Sequence, residues 1–294
     1  MSEAILVRSV PVARVRDLIL CAKPRLTSLV VFTTAMGIWL APASIGIARS
    51  VLVVAATALL VASAQAINSW MERETDALMA RTRNRPLAAG RLDPAVALGT
   101  GILLGAFAIP TLALVANPLT ALLGAIAHQS YVLVYTPLKR VSPRALEVGA
   151  VPGAIPPLMG WTAATGEMSA PGWVLFGILF FWQLPHFLSI SLYLKQDFQK
   201  GGIKVLPLVK GDEFARGYLL VQTACLVVVS SIAFFLRIAG PMYLAACALL
   251  GAGFLSFATA GMRRQAGAVW ARRTFLYSLV YLTLLVTVLV LDAR

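Results

Sequence analysis

Long runs without a charged residue constrain this chain more than any other feature of its sequence. A helix that crosses a membrane needs about 20 predominantly apolar residues, and the runs approach or exceed that length. We therefore predict an all-α, polytopic membrane protein. The runs are Leu26–Ala48, Ser50–Met71, Pro94–Leu138, Val148–Gly166, Met168–Leu194, Gly217–Leu236, Ile238–Met262 and Thr274–Leu291.

The run from 94 to 138 is long enough for two spans. Ala116-Asn117-Pro118 is the natural turn, because Pro ends one helix and starts the next. The prediction is then nine transmembrane helices in a single domain over residues 1–294, with a cytoplasmic N-terminal segment at 1–22. The fifth span, 148–166, is rich in Pro and Gly, so neighbouring helices must satisfy its backbone and should bury it.

Composition supports the membrane class and excludes others. The chain has 13% charged residues, 59% hydrophobic residues and a net charge of +13, whereas soluble domains have about 25% charged residues. A basic chain suggests nucleic-acid binding, but these basic residues lie between apolar runs, so we expect membrane lipid and no nucleic acid as partner. Cys21, Cys225 and Cys247 are isolated, which argues against a zinc site or a disulfide framework.

The basic residues also predict the orientation. Of the 25 Lys and Arg residues, 22 fall in the N-terminal segment and the loops after even-numbered spans, and Arg49, Arg237 and Arg294 fall on the other side. Positively charged loops stay in the cytoplasm. We therefore expect a cytoplasmic N-terminus, an external C-terminus and a location in the cell (inner or plasma) membrane.

An acidic motif lies at the cytoplasmic end of the second span. Asn68, Glu72 and Asp76 are spaced by four residues, so in a helix they share one face and rise about 6 Å per step. Oxygen ligands of this kind suit Mg²⁺, and the following Arg81 and Arg85 suit a phosphate group. The motif indicates a metal–diphosphate site; the alternative is a solvated helix end with ordinary surface ion pairs.

Two histidines lie deep in predicted spans. His186 precedes Lys195 by nine residues, which places it about 13 Å inside the helix end. An ionisable group at that depth needs a partner or a function, such as iron ligation or proton transfer. The alternative is that it satisfies a backbone carbonyl freed by Pro185. His128 lies at comparable depth without a companion motif, and we interpret it as structural.

Other charged residues give weaker signals. Lys139 and Arg140 follow the fourth span, where basic residues commonly determine topology. Lys195 and Asp197 open the second long loop, and Asp197 is a lone carboxylate on the same side as the acidic motif. Two acidic sites at two helix ends would together suit bridging metals.

These residues resemble a known family. Asn68-x3-Glu72-x3-Asp76 followed by Arg81-Thr-x2-Arg85-Pro resembles the first aspartate-rich motif of the intramembrane aromatic prenyltransferase (UbiA-type) superfamily. Other stretches are similar to its haem O synthase branch, the protohaem IX farnesyltransferases. They are Lys23-Pro24-Arg25, Tyr135-Thr136, Leu138-Lys139-Arg140, Gly153 to Trp161, Pro185-His186-Phe187, Asp197-Phe198 and Leu206-Pro207.

The resemblance implies nine helices around a central, lipid-open cavity that two long loops cap. It implies a Mg²⁺-dependent prenyltransferase that transfers farnesyl from farnesyl diphosphate to a vinyl group of haem B, making haem O for terminal oxidases. A haem-modifying or oxidase-assembly membrane protein is an expected partner. The implied residues are Asn68, Glu72, Asp76 and Asp197 for the metal and catalysis, Arg81, Arg85, Lys139, Arg140 and Lys195 for the diphosphate, and His186 for the haem iron or an attacking water.

Two departures from the superfamily pattern bear on this reading. Gly201 stands four residues after Asp197, where an acidic residue is usual, and the haem branch shares this reduction. Arg144 and Glu147 stand where Asn and small residues are expected. One alternative is a quinone-type prenyltransferase with a 4-hydroxybenzoate or naphthoate acceptor. Another, from a different class, is a membrane transporter, although transporters place charges near the midplane and often contain repeats.

Overall fold

A computed structural model describes residues 15–263 and 266–293. Over these residues the chain is helical and contains no strand. Most of the predicted N-terminal segment, and the predicted external residue Arg294, lie outside the described residues. The helices are α1 Val15–Cys21, α2 Pro24–Trp39, α3 Ile47–Leu78, α4 Pro94–Val115, α5 Pro118–Leu138, α6 Ala145–Thr165, α7 Ala170–Tyr193, α8 Lys195–Lys200, α9 Leu206–Val209, α10 Asp212–Phe235, α11 Pro241–Ala260 and α12 Ala268–Leu291.

Seven of the described helices are long and apolar enough to cross a membrane: α3, α4, α5, α7, α10, α11 and α12. An eighth span results if α1 and α2, which are bent by 56° at their junction, count as one. The predicted total of nine is therefore not confirmed. The fifth predicted span corresponds to α6, which does not belong to this apolar set because it contains Pro152, Pro156 and Pro157.

Helix α6 is instead the buried centre of the bundle, as its composition predicted. It packs against α2, α5 and α7, and most of its side chains are buried. Its approach to α2 depends on two glycines. A Cβ on Gly37 would lie 2.1 Å from the Pro157 carbonyl oxygen, and one on Gly160 would lie 2.0 Å from the Thr34 carbonyl oxygen. Small residues allow membrane helices to pack this closely.

Helix α5 contains a π-helical segment, Ser130–Tyr135, followed by one more α-helical turn. The helix begins at an Asn117 cap, whose Oδ1 accepts from the Thr120 N–H at 2.8 Å. The Asn117 Nδ2 also donates to the Thr162 carbonyl at 2.7 Å, which ties α5 to α6. π-Helical turns are frequent at functional sites, and this one carries Tyr131 and Tyr135 along the cavity described below.

Helices α10, α11 and α12 pack behind α7. Their contacts are mainly apolar, with Tyr243 and Tyr281 fully buried beside Ser230. The Trp182 Nε1 of α7 donates to the Ser278 carbonyl of α12 at 2.7 Å. Helices α10 and α12 therefore contact α7 directly, and α11 packs against α10 and α12.

Candidate functional site

A cavity with a volume of about 390 Å³ lies between α2, α3, α5, α6 and α7. Its charged residues lie at one end of the bundle, formed by residues 79–93, 139–144 and 194–211, which we call the basic face. The rest of the wall is apolar, with a few neutral polar groups. The charged lining residues are Lys23, Glu72, Asp76, Arg81, Arg85 and Lys139.

The predicted row of oxygen side chains borders this cavity. Asn68, Glu72 and Asp76 all belong to α3 and are 0%, 8% and 2% exposed. Their spacing of four residues puts them along the cavity wall. They are therefore not a solvated helix end, which was the alternative that spacing alone left open.

Each member of the row has a cationic partner. A buried charge needs a partner of opposite sign to offset its loss of hydration. The pairs are Lys23 Nζ donating to Asn68 Oδ1 at 2.8 Å, Arg85 Nη1 donating to both Asp76 oxygens at 2.9 and 2.7 Å, and Lys139 Nζ pairing with Glu72. Four basic residues and two carboxylates line this end. Burial, and then the nearby Arg85, lower the pKa of Lys23 to about 7, but the remaining three cations still leave an excess of positive charge facing the cavity.

Two of the cations are also held against aromatic rings. The Lys139 Nζ lies 4.4 Å from the centre of the Tyr135 ring, and the Arg81 guanidinium lies 5.7 Å from the Phe198 ring. Burial disfavours the charged form of Lys139, but its neighbours Tyr135 and Glu72 raise its pKa above the ordinary value. Lys139 therefore remains charged at neutral pH. For Arg81, burial and then the nearby Arg85 lower the pKa of the guanidinium.

Lys23 lines the cavity, although the sequence did not predict it as a site residue. In the sequence it belongs only to the Lys23-Pro24-Arg25 stretch, and a basic residue before a span is ordinary topology information. In the structure it lies between α1 and α2 with a φ of 48°, in the left-handed region. Such a backbone conformation is unfavourable for a residue with a Cβ and clusters at functional sites. The bend between the two helices places its ammonium against Asn68.

Three predicted residues do not line the cavity. Asp197 Oδ1 accepts from the Ala80 N–H at 2.8 Å, so it ties α8 to the loop after α3. Arg140 Nη2 donates to the Met71 carbonyl at 3.2 Å. Lys195 Nζ pairs with Asp212 at 2.6 Å on the exposed surface. Sequence position could not separate these residues from the lining ones, because all of them follow a helix end on the basic face.

His186 lies in the cavity wall on α7 and is 8% exposed. Its Nδ1 is 2.8 Å from the Ser278 Oγ of α12. Its ring stacks on Trp182, with centres 4.6 Å apart, and contacts Phe275 at 5.1 Å. It contacts α12 instead of only satisfying a carbonyl freed by Pro185, which was the alternative interpretation.

His128 also lines the cavity, on α5. Its Nε2 is 2.8 Å from Ser63 Oγ, and Ser63 Oγ donates to the Gly101 carbonyl at 2.7 Å. Its Nδ1 is buried and has no hydrogen-bond partner within the described part of the chain. The ring is held by Ser63 of α3, and Gly105 of α4 leaves room for it, since a Cβ there would lie 3.5 Å from His128 Nε2.

The donor set at the basic-face end fits a hard cation. It offers buried carboxylate and amide oxygens from Asn68, Glu72 and Asp76 at the edge of a cavity, and Mg²⁺ prefers such oxygens. Each carboxylate has lone pairs beyond those that its cationic partner uses. Among the described residues, no three His, Cys, Asp or Glu side chains already converge as a complete metal site. Water molecules or a bound anion would complete the ligand set of a cation there.

Comparison with known proteins identifies the family. Residues 30–280 match the UbiA prenyltransferase family. A protohaem IX farnesyltransferase from Anaeromyxobacter sp. (strain Fw109-5) is 54% identical over 279 residues, covering 95% of this chain and 94% of that protein. Another from Myxococcus xanthus (strain DK1622) is 50% identical over 276 residues, covering 94% of each chain.

Solved structures share the fold at low identity. A digeranylgeranylglyceryl phosphate synthase superposes with a TM-score of 0.81 at 16% identity, over 94% of this chain and 97% of that chain. A UbiA homologue from Archaeoglobus fulgidus bound to GPP and Mg²⁺ superposes with a TM-score of 0.62 at 15% identity, over 93% and 99% of the two chains. The chain therefore belongs to the UbiA prenyltransferase family, and within it to the protohaem IX farnesyltransferases.

Proposed function

We propose that this chain transfers a farnesyl group from farnesyl diphosphate to a vinyl group of haem B, producing haem O. One observation carries the proposal: an apolar cavity between membrane helices ends in a buried cluster with excess positive charge. Farnesyl diphosphate has the same polarity, since a long apolar chain ends in a multiply charged anion. Haem B is a large apolar ring that suits the remaining wall. The names of the close relatives support the same pair of substrates.

The residues of the charged end would divide between the diphosphate and a metal ion. Lys23, Arg81, Arg85 and Lys139 border the cavity and are the proposed diphosphate ligands, with Arg140 and Lys195 as outer candidates. Asn68, Glu72 and Asp76 are the proposed Mg²⁺ ligands, with Asp197 as an outer candidate. The Archaeoglobus homologue that binds GPP and Mg²⁺ supports a metal requirement.

The chemistry follows from charge and exclusion of water. The bond from the farnesyl C1 to the diphosphate oxygen breaks, and the electron pair leaves with the diphosphate. Preorganised cations stabilise the charge that develops on it, which is usually the largest catalytic contribution. Mg²⁺, when bound, would neutralise further charge there. The ligand would take over cations that now pair with Glu72 and Asp76.

The apolar wall would protect the allylic cation until the vinyl group attacks it. Water must be kept from the cation during this interval, since hydrolysis would give free farnesol. The vinyl carbon forms the new bond to the farnesyl C1, and a water molecule then adds to the haem-side cation and releases a proton. His186, in the wall away from the charged row, would bind the iron or orient that water.

The alternatives have less support. Family membership removes the reason for a transporter. A quinone-type prenyltransferase would share the diphosphate site but would take a small aromatic acceptor, and the relatives at 50–54% identity are named for protohaem. A haem-modifying or oxidase-assembly membrane protein would be the natural recipient of the product.

The test is to express the chain in a membrane host without haem O synthesis and to identify extracted haems by mass. We expect a haem heavier than haem B by one farnesyl group and one hydroxyl group, because the added water releases a proton. Unmodified haem B alone, or prenylated 4-hydroxybenzoate or naphthoate in its place, would refute the proposal.

The orientation is a separate proposal: the basic face lies in the cytoplasm of the cell (inner or plasma) membrane. It rests on the 22 basic residues on one side of the predicted spans. Single cysteines at positions 81 and 200 should react with an impermeant reagent only when the cytoplasmic side is accessible. Labelling of the two positions from opposite sides would contradict the proposed topology.

A further inference from the structure

In the contact between α7 and α12 at His186, the donor and the acceptor of each hydrogen bond can be assigned. Ser278 is fully buried. Its Oγ lies 2.6 Å from the Phe275 carbonyl oxygen and 2.8 Å from His186 Nδ1. The serine hydroxyl has one proton, and a carbonyl oxygen can only accept. The hydroxyl proton therefore goes to Phe275, and the Ser278 oxygen must accept a proton from His186.

The direction of this bond fixes the tautomer of His186. If Nδ1 carries the proton, Nε2 of the neutral ring has a free lone pair. No hydrogen bond to Nε2 occurs within the described residues, whereas Nδ1 is engaged. The ring itself borders the cavity. Trp182 stacks on it, and the Trp182 Nε1 is held by the Ser278 backbone carbonyl at 2.7 Å, so the ring orientation is fixed from two sides.

We propose that Ser278 is a positioning residue that locks His186 as the Nδ1–H tautomer and presents the Nε2 lone pair to the iron of the acceptor haem. The inference rests on the proposed function, since it takes haem as the acceptor. Histidines that bind metals almost always donate their other ring N–H to a neighbouring acceptor, which sets the tautomer and raises ligand basicity. The chain Phe275 carbonyl, Ser278 hydroxyl and His186 imidazole has this arrangement.

The second buried histidine provides a contrast. Ser63 also gives its proton to a carbonyl, that of Gly101, and so accepts from His128 Nε2. The free nitrogen of His128 is then Nδ1, which is covered by neighbouring atoms. Both histidines thus donate to a buried serine, His128 through Nε2 and His186 through Nδ1. Of the two, only His186 can present its unprotonated nitrogen to a ligand. Ser63→Ala is a matched control for the loss of a buried Ser–His hydrogen bond.

The experiment is a titration of ferric haem B into the purified full-length protein in lipid nanodiscs, followed by Soret absorption and electron paramagnetic resonance. Wild type should show histidine-ligated haem, and His186→Ala should lose that signature. Ser278→Ala should weaken haem binding about tenfold, in the range typical for partners of metal ligands, and should shift the spectrum. The Trp182 contact should persist, because it uses the Ser278 backbone. Ser278→Thr, which retains a hydroxyl, should restore the spectrum, and Ser63→Ala should leave it unchanged.

Two outcomes would overturn the inference. One is an unchanged spectrum and affinity in His186→Ala, which would remove the imidazole from the iron. The other is a Ser278→Ala variant that matches wild type, or a Ser63→Ala variant that perturbs the spectrum equally. Failure of the proposed function is distinguishable, since it would appear as wild-type membranes that make no haem O.

Discussion

The two parts of the cavity wall are held by different forces. At the basic-face end, Glu72 and Asp76 are held by ion pairs with cations from other segments. In the deeper wall, His128 and His186 are each held by a hydrogen bond to a buried serine instead of an ion pair. Packed helices surround both rings, and Trp182 stacks on His186. Charged groups can exchange partners when an anion arrives, whereas the deeper groups are fixed by packing. The difference indicates that the charged end ionises the prenyl donor, farnesyl diphosphate, whereas the deeper wall orients the prenyl acceptor, haem B.

The largest expected effect is at the charged end. Asp76→Ala should lower turnover by about 10²–10³, the loss typical for one preorganised electrostatic contact, while membrane insertion stays normal. Asp76 is buried and paired with Arg85, whereas Glu74 on the same helix forms only an exposed pair with Arg73. Glu74→Ala is therefore the control and should be near wild type. If Asp76→Ala turned over within a few-fold of wild type, the row of oxygen side chains on α3 would have no essential part in catalysis.

The deeper wall should respond differently. His186→Ala should lower haem O yield at least about tenfold while binding of farnesyl diphosphate persists, because the charged residues lie elsewhere in the cavity. The measurements are haem O yield from membranes at matched protein level and binding of labelled farnesyl diphosphate. Full yield from His186→Ala would remove the residue from the site.

His186→Gln sharpens this result. Gln can donate and accept hydrogen bonds but does not replace imidazole as a typical haem ligand. We expect it to remain impaired. Rescue by Gln would leave hydrogen bonding as the role of the residue and would exclude an essential iron ligand.

A substitution of Lys23, whose backbone is in the left-handed region before α2, tests whether this residue contributes to the proposed diphosphate site. Lys23→Met should raise the KM for farnesyl diphosphate about ten- to a hundredfold, since a hydrogen bond to a charged group contributes roughly 1.5–3 kcal/mol and about 1.4 kcal/mol is a factor of ten. Arg25→Met is the control, because Arg25 is exposed two residues further on. Equal KM values for the two variants would place Lys23 outside the diphosphate site.

The smallest effect on activity is expected from packing around His128. A Cβ at Gly105 would lie 2.8 Å from Ser63 Oγ and 3.5 Å from His128 Nε2. Gly105→Ala should therefore lower thermal stability in detergent by about 1–3 kcal/mol, as overpacking does, with turnover per folded molecule within about two-fold. Gly99→Ala has no neighbour within 4 Å and should not destabilise α4. A large loss of turnover in stable Gly105→Ala protein would show that His128 has a catalytic role.

The sequence was sufficient for much of the fold and for the charged row. Long apolar runs predicted the membrane class, and the Pro-rich composition of α6 predicted its burial, because freed backbone groups need neighbouring helices. The spacing of Asn68, Glu72 and Asp76 predicted a shared helix face, because helix periodicity is a local property. The number of spans was not determined in this way, since α6 lacks the hydropathy of a lipid-facing helix and α2 is bent against α1.

Tertiary structure alone decided which cations face the cavity and how the histidines are oriented. Lys23, Lys139 and Lys195 all follow the same sequence rule for basic residues near helix ends. Only packing separates the first two, which pair with the row on α3, from the third, which pairs with Asp212 on the surface. Likewise the partner of His186 lies on α12, 92 residues away in the chain. Helix periodicity is encoded locally, whereas contacts between distant helices depend on how the whole bundle packs.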